Sequence, residues 1–181
     1  NGLKKSAERI RLGNERVLKA RLADAQFFVY SDLSNSSKDR LEKLSNVNFS
    51  ERLGSLFDRV LRIEWLVKIL ANELHFSDQN THDSLRAARF CKHDLVSQIV
   101  GEFPELQGVM GAKYLLVDGE NEKVALAVLE HYLPRWSGDQ LPASEAGAVV
   151  ALAERLELLL SIYSKGERPS GSSDPYALRR A

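Results

Sequence analysis

The stretch ERLGSLFDRVLRIEWLVKILANELH, residues 51–75, carries Leu53, Leu56, Phe57, Val60, Ile63, Leu66, Val67 and Leu70, recurring every three or four positions. That spacing gathers them on one side of a 3.6-residue helix, with Glu51, Arg59, Arg62, Glu64 and Lys68 interleaved between them. A strand would need sustained alternation, and none is present here. The same period returns upstream at Val17, Leu18, Leu22, Ala25 and Phe28.

Reading outward, turn-forming residues punctuate the chain at Ser31-Asp32 with Ser34 to Ser37, Asn46 to Asn48, Ser77 to Asn80, Gly101, Asp118-Gly119, Pro134 to Pro142 and Lys165 to Pro175. The spacing predicts helices near 14–30, 51–75, 81–99, 104–116, 121–132 and 144–164. Asn14 and Ser50 suit N-caps, and Ser144 starts its helix just after Pro142. Val47-Asn48-Phe49 is the one segment with the make-up of a short strand. The expected fold is all-α: a single compact multi-helix domain over 1–181, with 165–181 as a tail. Pro175 begins a helical turn that Ala181 leaves incomplete, which predicts a piece of a longer chain.

Apolar residues make up 44% of the chain and charged ones 28%, a globular composition and not a disordered one. No apolar run approaches the roughly 20 residues of a membrane span, and Lys4 and Lys5 precede no signal-peptide core, so a cytoplasmic protein is expected. Cys91, the only cysteine, rules out an internal disulfide and a cysteine zinc cluster. Net charge is zero, yet residues 1–22 hold seven bases against two acids, leaving +5 there and −5 elsewhere. Charge so segregated suits either a phosphate-facing surface or a solvated helix face.

Five blocks carry a resemblance: GNERVLKARLADA at 13–25 followed by Phe27-Phe28, EFPELQGVMG at 102–111, EHYLPR at 130–135, GDQLP at 138–142 and DPYALRRA at 174–181. In this order they resemble the β subunit of bacterial-type glycyl-tRNA synthetase, nearly end to end. The resemblance implies a segment of an α2β2 class II synthetase that joins glycine to tRNA(Gly) using ATP. In that family the α subunit activates glycine and β holds the tRNA. It also implies an internal, HD-type helical bundle ahead of carboxy-terminal anticodon-binding helices, with no cofactor and no catalytic residue of its own.

His93-Asp94 is the pair that HD-type phosphohydrolases use on a helix to hold a water-activating metal. A metal needs further ligands, and His75, His82 and His131 show no paired helical spacing with it. The family does not typically carry histidine at position 93, and the last aspartate of the HD motif corresponds to Glu154. The plainer expectation for the dyad is an exposed or capping histidine beside an aspartate.

Arg16, Lys19 and Arg21 offer phosphate contacts from one helix, or ion pairs to Glu15 and Asp24. Arg135-Trp136 offers an arginine for a phosphate and an aromatic for a base, or a tryptophan that plugs the core. Arg168 adds a base from the tail, while Gly108 and Gly111 read as close helix packing. The tRNA-contact candidates are therefore Arg16, Lys19, Arg21, Arg135 and Arg168, with His93 and Asp94 the candidates for a metal. Two other functions compete with tRNA support: an HD-type metal-dependent phosphohydrolase, and a purely architectural helical scaffold. No nucleotide-binding glycine loop or nucleophile–base–orienter set appears.

Overall fold

The computed structural model of the chain describes residues 4–169 and 174–179, the side chains of Lys4 and Lys5 excepted. Those two basic side chains and Arg180 lie outside the described residues. Eight α-helices account for most of the described chain: α1 (Lys4–Asp32), α2 (Ser37–Lys43), α3 (Leu56–Glu73), α4 (Asp78–Phe90), α5 (Gln98–Glu102), α6 (Val109–Val117), α7 (Glu122–Glu130) and α8 (Glu145–Ser164). One two-stranded antiparallel ribbon, β1 (Asn48–Ser50) with β2 (Gly54–Ser55), precedes α3. The all-α expectation holds, and the short strand lies where Val47-Asn48-Phe49 predicted it.

Serine begins helix after helix. Ser36 and Ser55 form capping boxes with Asp39 and Asp58, and Ser77, Ser97 and Ser144 each accept an amide from the first turn they precede. Two expected caps are wrong. Asn14 lies inside α1, because Ala7, Glu8, Arg9 and Leu12 carry the helix back to Lys4. Ser50 ends β1 instead, its hydroxyl accepting from Lys165 Nζ at 2.8 Å. Gly54, at φ 80°, closes the ribbon and leaves Ser55 to start α3.

The predicted helix 81–99 is three elements. It stops at Phe90, makes a 3-10 turn over His93–Val96, and restarts as α5. The predicted 104–116 helix begins with a separate 3-10 turn, Pro104–Leu106, and α6 starts only after Gly108 at φ 78°. Periodicity cannot register such breaks, since apolar residues continue across them. Among the described residues after the tail's Pro175 there are turns and no helix: Ala177 takes φ 54°, and the Asp174 carboxylate accepts the amides of Leu178 and Arg179.

Val60, Ile63 and Val67 of α3, Ala87 and Ala88 of α4, Val124 and Val128 of α7, and Val150 and Ala153 of α8 fill the main core. A smaller cluster, Ile99, Val100, Met110 and Tyr114, receives Ala25, Phe28 and Val29 from the end of α1. Carboxylates distant in sequence tie these helices together. Asp32 of α1 accepts the first two amides of α5, from Gln98 at 2.8 Å and Ile99 at 3.0 Å, and also the Tyr114 hydroxyl. Asp118 accepts Ser37 N at the head of α2, and Glu130 accepts Ala143 N and Ser144 N at the head of α8. Each carboxylate satisfies amides that a helix start leaves without intrahelical acceptors, at the positive end of its dipole.

Candidate functional site

The His93-Asp94 dyad is not exposed, as the plainer reading expected; both residues are fully buried. Asp94 Oδ2 accepts Gly108 N at 2.7 Å and Gly111 N at 3.0 Å, so the carboxylate caps α6 from 14 residues upstream. His93 Nε2 faces the Gly111 carbonyl at 3.1 Å, and a donated hydrogen bond there puts the proton on Nε2. Burial, with Arg40 nearby, pushes the His93 imidazole down to about 4, so it stays neutral. Gly111 is required by this arrangement: a Cβ there would lie 3.1 Å from both Asp94 Oδ2 and Val128. The glycine packing anticipated at 108–111 therefore has a specific cause, which is a clamp between the 3-10 turn and α6.

The adjacent Lys92, absent from the sequence-level candidates, is the centre of a second buried set. Its Nζ lies 3.1 Å from Glu154 Oε1, 3.0 Å from His131 Nε2 and 4.1 Å from the centre of the Tyr132 ring. His131 Nδ1 is 2.6 Å from the Val128 carbonyl, which requires a proton on Nδ1 and leaves the Nε2 lone pair to accept from the ammonium. Burial and the Lys92 charge hold His131 well below its usual value. Burial alone would raise the Glu154 carboxyl, but Lys92 and Arg59 outweigh it and bring it down to about 2. Arg59 spans Glu154 and Glu157, each at 2.7 Å, and Arg62 reaches Glu157 at 2.8 Å.

An imidazole lone pair and a carboxylate oxygen thus converge on one point that already holds the protein's own cation. An ion placed there would meet the ammonium's charge before it met the ligands. Among the described residues no group of three or more His, Cys, Asp or Glu side chains is arranged to share a metal. The phosphohydrolase alternative gains no support from this geometry. Cys91, beside the network, is inert because burial lifts its thiol to about 12.

The five basic candidates do not form one surface. At 100° per residue, Arg16 and Lys19 share the outer face of α1 with Arg9, and the exposed Phe27 and Tyr30 continue that face. Arg21 lies on the opposite side, its guanidinium 5.7 Å from the Phe103 ring. Arg135 joins Arg21 at the same turn, bonding the Gln107 carbonyl at 3.4 Å. Arg168 is exposed on the tail after α8, and no contact connects it with the others. Glu15 pairs with Arg11 at 2.8 Å, so the expected partner of Arg16 is already engaged. Trp136 is 64% exposed and is no core plug. The Arg9, Arg16, Lys19 spacing of seven and three was present in the sequence and could have marked the outer face; Lys92 carried no such signal.

The family model described as glycyl-tRNA synthetase beta subunit matches residues 1–181. The chain is similar to the glycine–tRNA ligase beta subunit of Trichodesmium erythraeum, 50% identical over 181 residues, covering 100% of this chain and 25% of the relative. That of Streptococcus mutans is 48% identical over 181 residues, covering 100% and 27%. That of Halothermothrix orenii is 45% identical over 180 residues, covering 99% and 26%. The chain spans about a quarter of the length of these relatives. A match over every residue, with identities near one half, means that this chain belongs to the glycyl-tRNA synthetase beta subunit family.

Proposed function

We propose that the chain is a tRNA-supporting segment of a glycine–tRNA ligase, working in the cytoplasm with an α subunit in an α2β2 assembly that uses ATP to attach glycine to tRNA(Gly). The bundle supplies no catalytic group of its own. The observation that carries the reading is the outer face of α1, where Arg9, Arg16 and Lys19 sit exposed above Phe27 and Tyr30, in a chain that belongs to this family. Guanidinium and ammonium groups at that spacing reach successive backbone phosphates, and the aromatics offer stacking surface to unpaired bases. Arg21 with Arg135, and Arg168 separately, form two further basic positions of the same proposal. The HD-type reading of the bundle belongs to the same proposal and rests on the resemblance of the sequence blocks.

The test is the combined substitution Arg9→Gln, Arg16→Gln, Lys19→Gln in the complete synthetase. Three lost phosphate contacts should lower tRNA affinity and reduce the slope of log affinity against log salt by roughly 2–3, at about 0.7–0.9 per contact. Glycine-dependent ATP–pyrophosphate exchange, which needs no tRNA, should be unchanged. Unaltered affinity and slope in a folded enzyme would end the assignment of α1 to tRNA.

A further inference from the structure

Every residue of α1 from Ala7 to Asp24 is exposed, a stretch of about 27 Å at 1.5 Å per residue in which Arg21 alone lies over a ring of the bundle, that of Phe103. The helix meets the bundle through its last three turns, where Arg21 lies over the Phe103 ring, Ala25, Phe28 and Val29 enter the cluster around Ile99, Val100, Met110 and Tyr114, and Asp32 accepts the first amides of α5. Ile10, Val17 and Leu18 lie on that same side of the helix at 100° per residue, and are 56%, 64% and 59% exposed. The stripe that forms a core contact at one end of α1 therefore runs on for several turns with nothing against it. Helices in proteins draw most of their stability from packing an amphipathic face, and Gly13 weakens this one further.

We infer that this apolar side of α1 is covered by another part of the same β-subunit chain, lying outside residues 1–181. Two observations and one general physical consideration select that occupant. The stripe is continuous with a contact already made within the chain; Arg9, Arg16 and Lys19 occupy the opposite side, and Arg11, on the stripe's own side, is paired with Glu15. The relatives are about four times as long, so ample chain exists to cover it. An intrachain partner also acts at the high effective concentration of a tethered segment and needs no second molecule. The covering surface is apolar, with an acidic or carbonyl group where Arg21 rises at the end of the stripe. The inference rests on the family's chain length and not on tRNA contact, so each can fail without the other.

The test uses the assembled enzyme without tRNA. Leu18→p-benzoylphenylalanine is irradiated and the adduct mapped by mass spectrometry, with Lys19→p-benzoylphenylalanine as the opposite-face control. The expected product from position 18 migrates at the mass of one β subunit and joins it to a peptide outside residues 1–181; position 19 gives no such adduct. An adduct at twice the β mass, an adduct to the α subunit, or no adduct at position 18 overturns the inference. Hydrogen exchange of the unmodified enzyme guards against a misfolded variant. Amides of residues 10–22 should exchange at least 100-fold more slowly in the assembled enzyme than in an unstructured peptide of the same sequence, and exchange at the unstructured rate would overturn it equally.

Discussion

Lys92→Met removes the one cation on which Glu154 and His131 converge while keeping the length of the side chain. Holding Glu154 at about 2 and not at its usual 4.5 contributes roughly 3 kcal/mol to the folded state at neutral pH, at about 1.4 kcal/mol per tenfold change in proton affinity. Arg59, at 2.7 Å, retains part of this, so the share lost with Lys92 is about half. His131 Nε2 loses its donor, and an orphaned buried acceptor costs about 1–3 kcal/mol. The variant regains the desolvation of the ammonium, which offsets some of both. The expected net loss is roughly 2–4 kcal/mol, measured by urea unfolding followed by circular dichroism at pH 7. The double variant Lys92→Met, Glu154→Gln should lose less than the sum of its single changes, with about 1–3 kcal/mol of coupling. The sign with pH follows from the lowered Glu154 carboxyl: its contribution is complete above about 4.5 and vanishes as pH falls towards 2, so the single lysine variant should differ least from the parent in strong acid. A loss below about 1 kcal/mol at pH 7, or additive single changes, would refute the view that these groups act as one charge-compensated unit.

Asp94→Ala leaves the amides of Gly108 and Gly111 without an acceptor and should cost about 2–5 kcal/mol, whereas Asp94→Asn, which retains an acceptor oxygen, should cost less than half as much; equal losses in urea unfolding would contradict the capping role. Gly147→Ala puts a Cβ 2.8 Å from Ser144 Oγ and against the Glu130 carboxylate, so it should destabilise by about 1–3 kcal/mol, while Gly13→Ala, in open space within α1, should raise helicity and stability by up to about 1 kcal/mol. The buried neutral histidines His93 and His131 should make stability fall as pH drops below their unfolded value of about 6.5, each by about 1.4 kcal/mol per pH unit, with the His93 share ending near 4; a flat profile between pH 6.5 and 5 would contradict their burial. Cys91 should resist thiol reagents until the bundle unfolds, and rapid labelling in the folded chain would place it elsewhere.

Helical period was enough to give the all-α class and the body of α3, and Ser144 gave the start of α8, because burying one face of a helix and capping its first turn are local demands that residues three or four apart satisfy; the start of α3 was missed, since Ser55 and not Ser50 caps it. The five blocks from Gly13 to Ala181 likewise carried the family resemblance. The break between Phe90 and Gln98 was invisible to the same reading, since apolar residues persist across it and the groups that stabilise it, the accepting Asp32 carboxylate and the donating Gly108 and Gly111 amides, come from other parts of the chain. That break takes His93 and Asp94 out of solvent and turns an apparent metal dyad into a helix clamp. Which bases share a surface was partly legible, because Arg16 and Lys19 follow one helix's period. Arg21 and Arg135 meet only through the Phe103–Gln107 turn. Lys92 was unreadable from sequence: a lysine is expected in water, and only the tertiary meeting of α7, α8 and the turn after α4 provides the carboxylate and the lone pair that make its burial favourable.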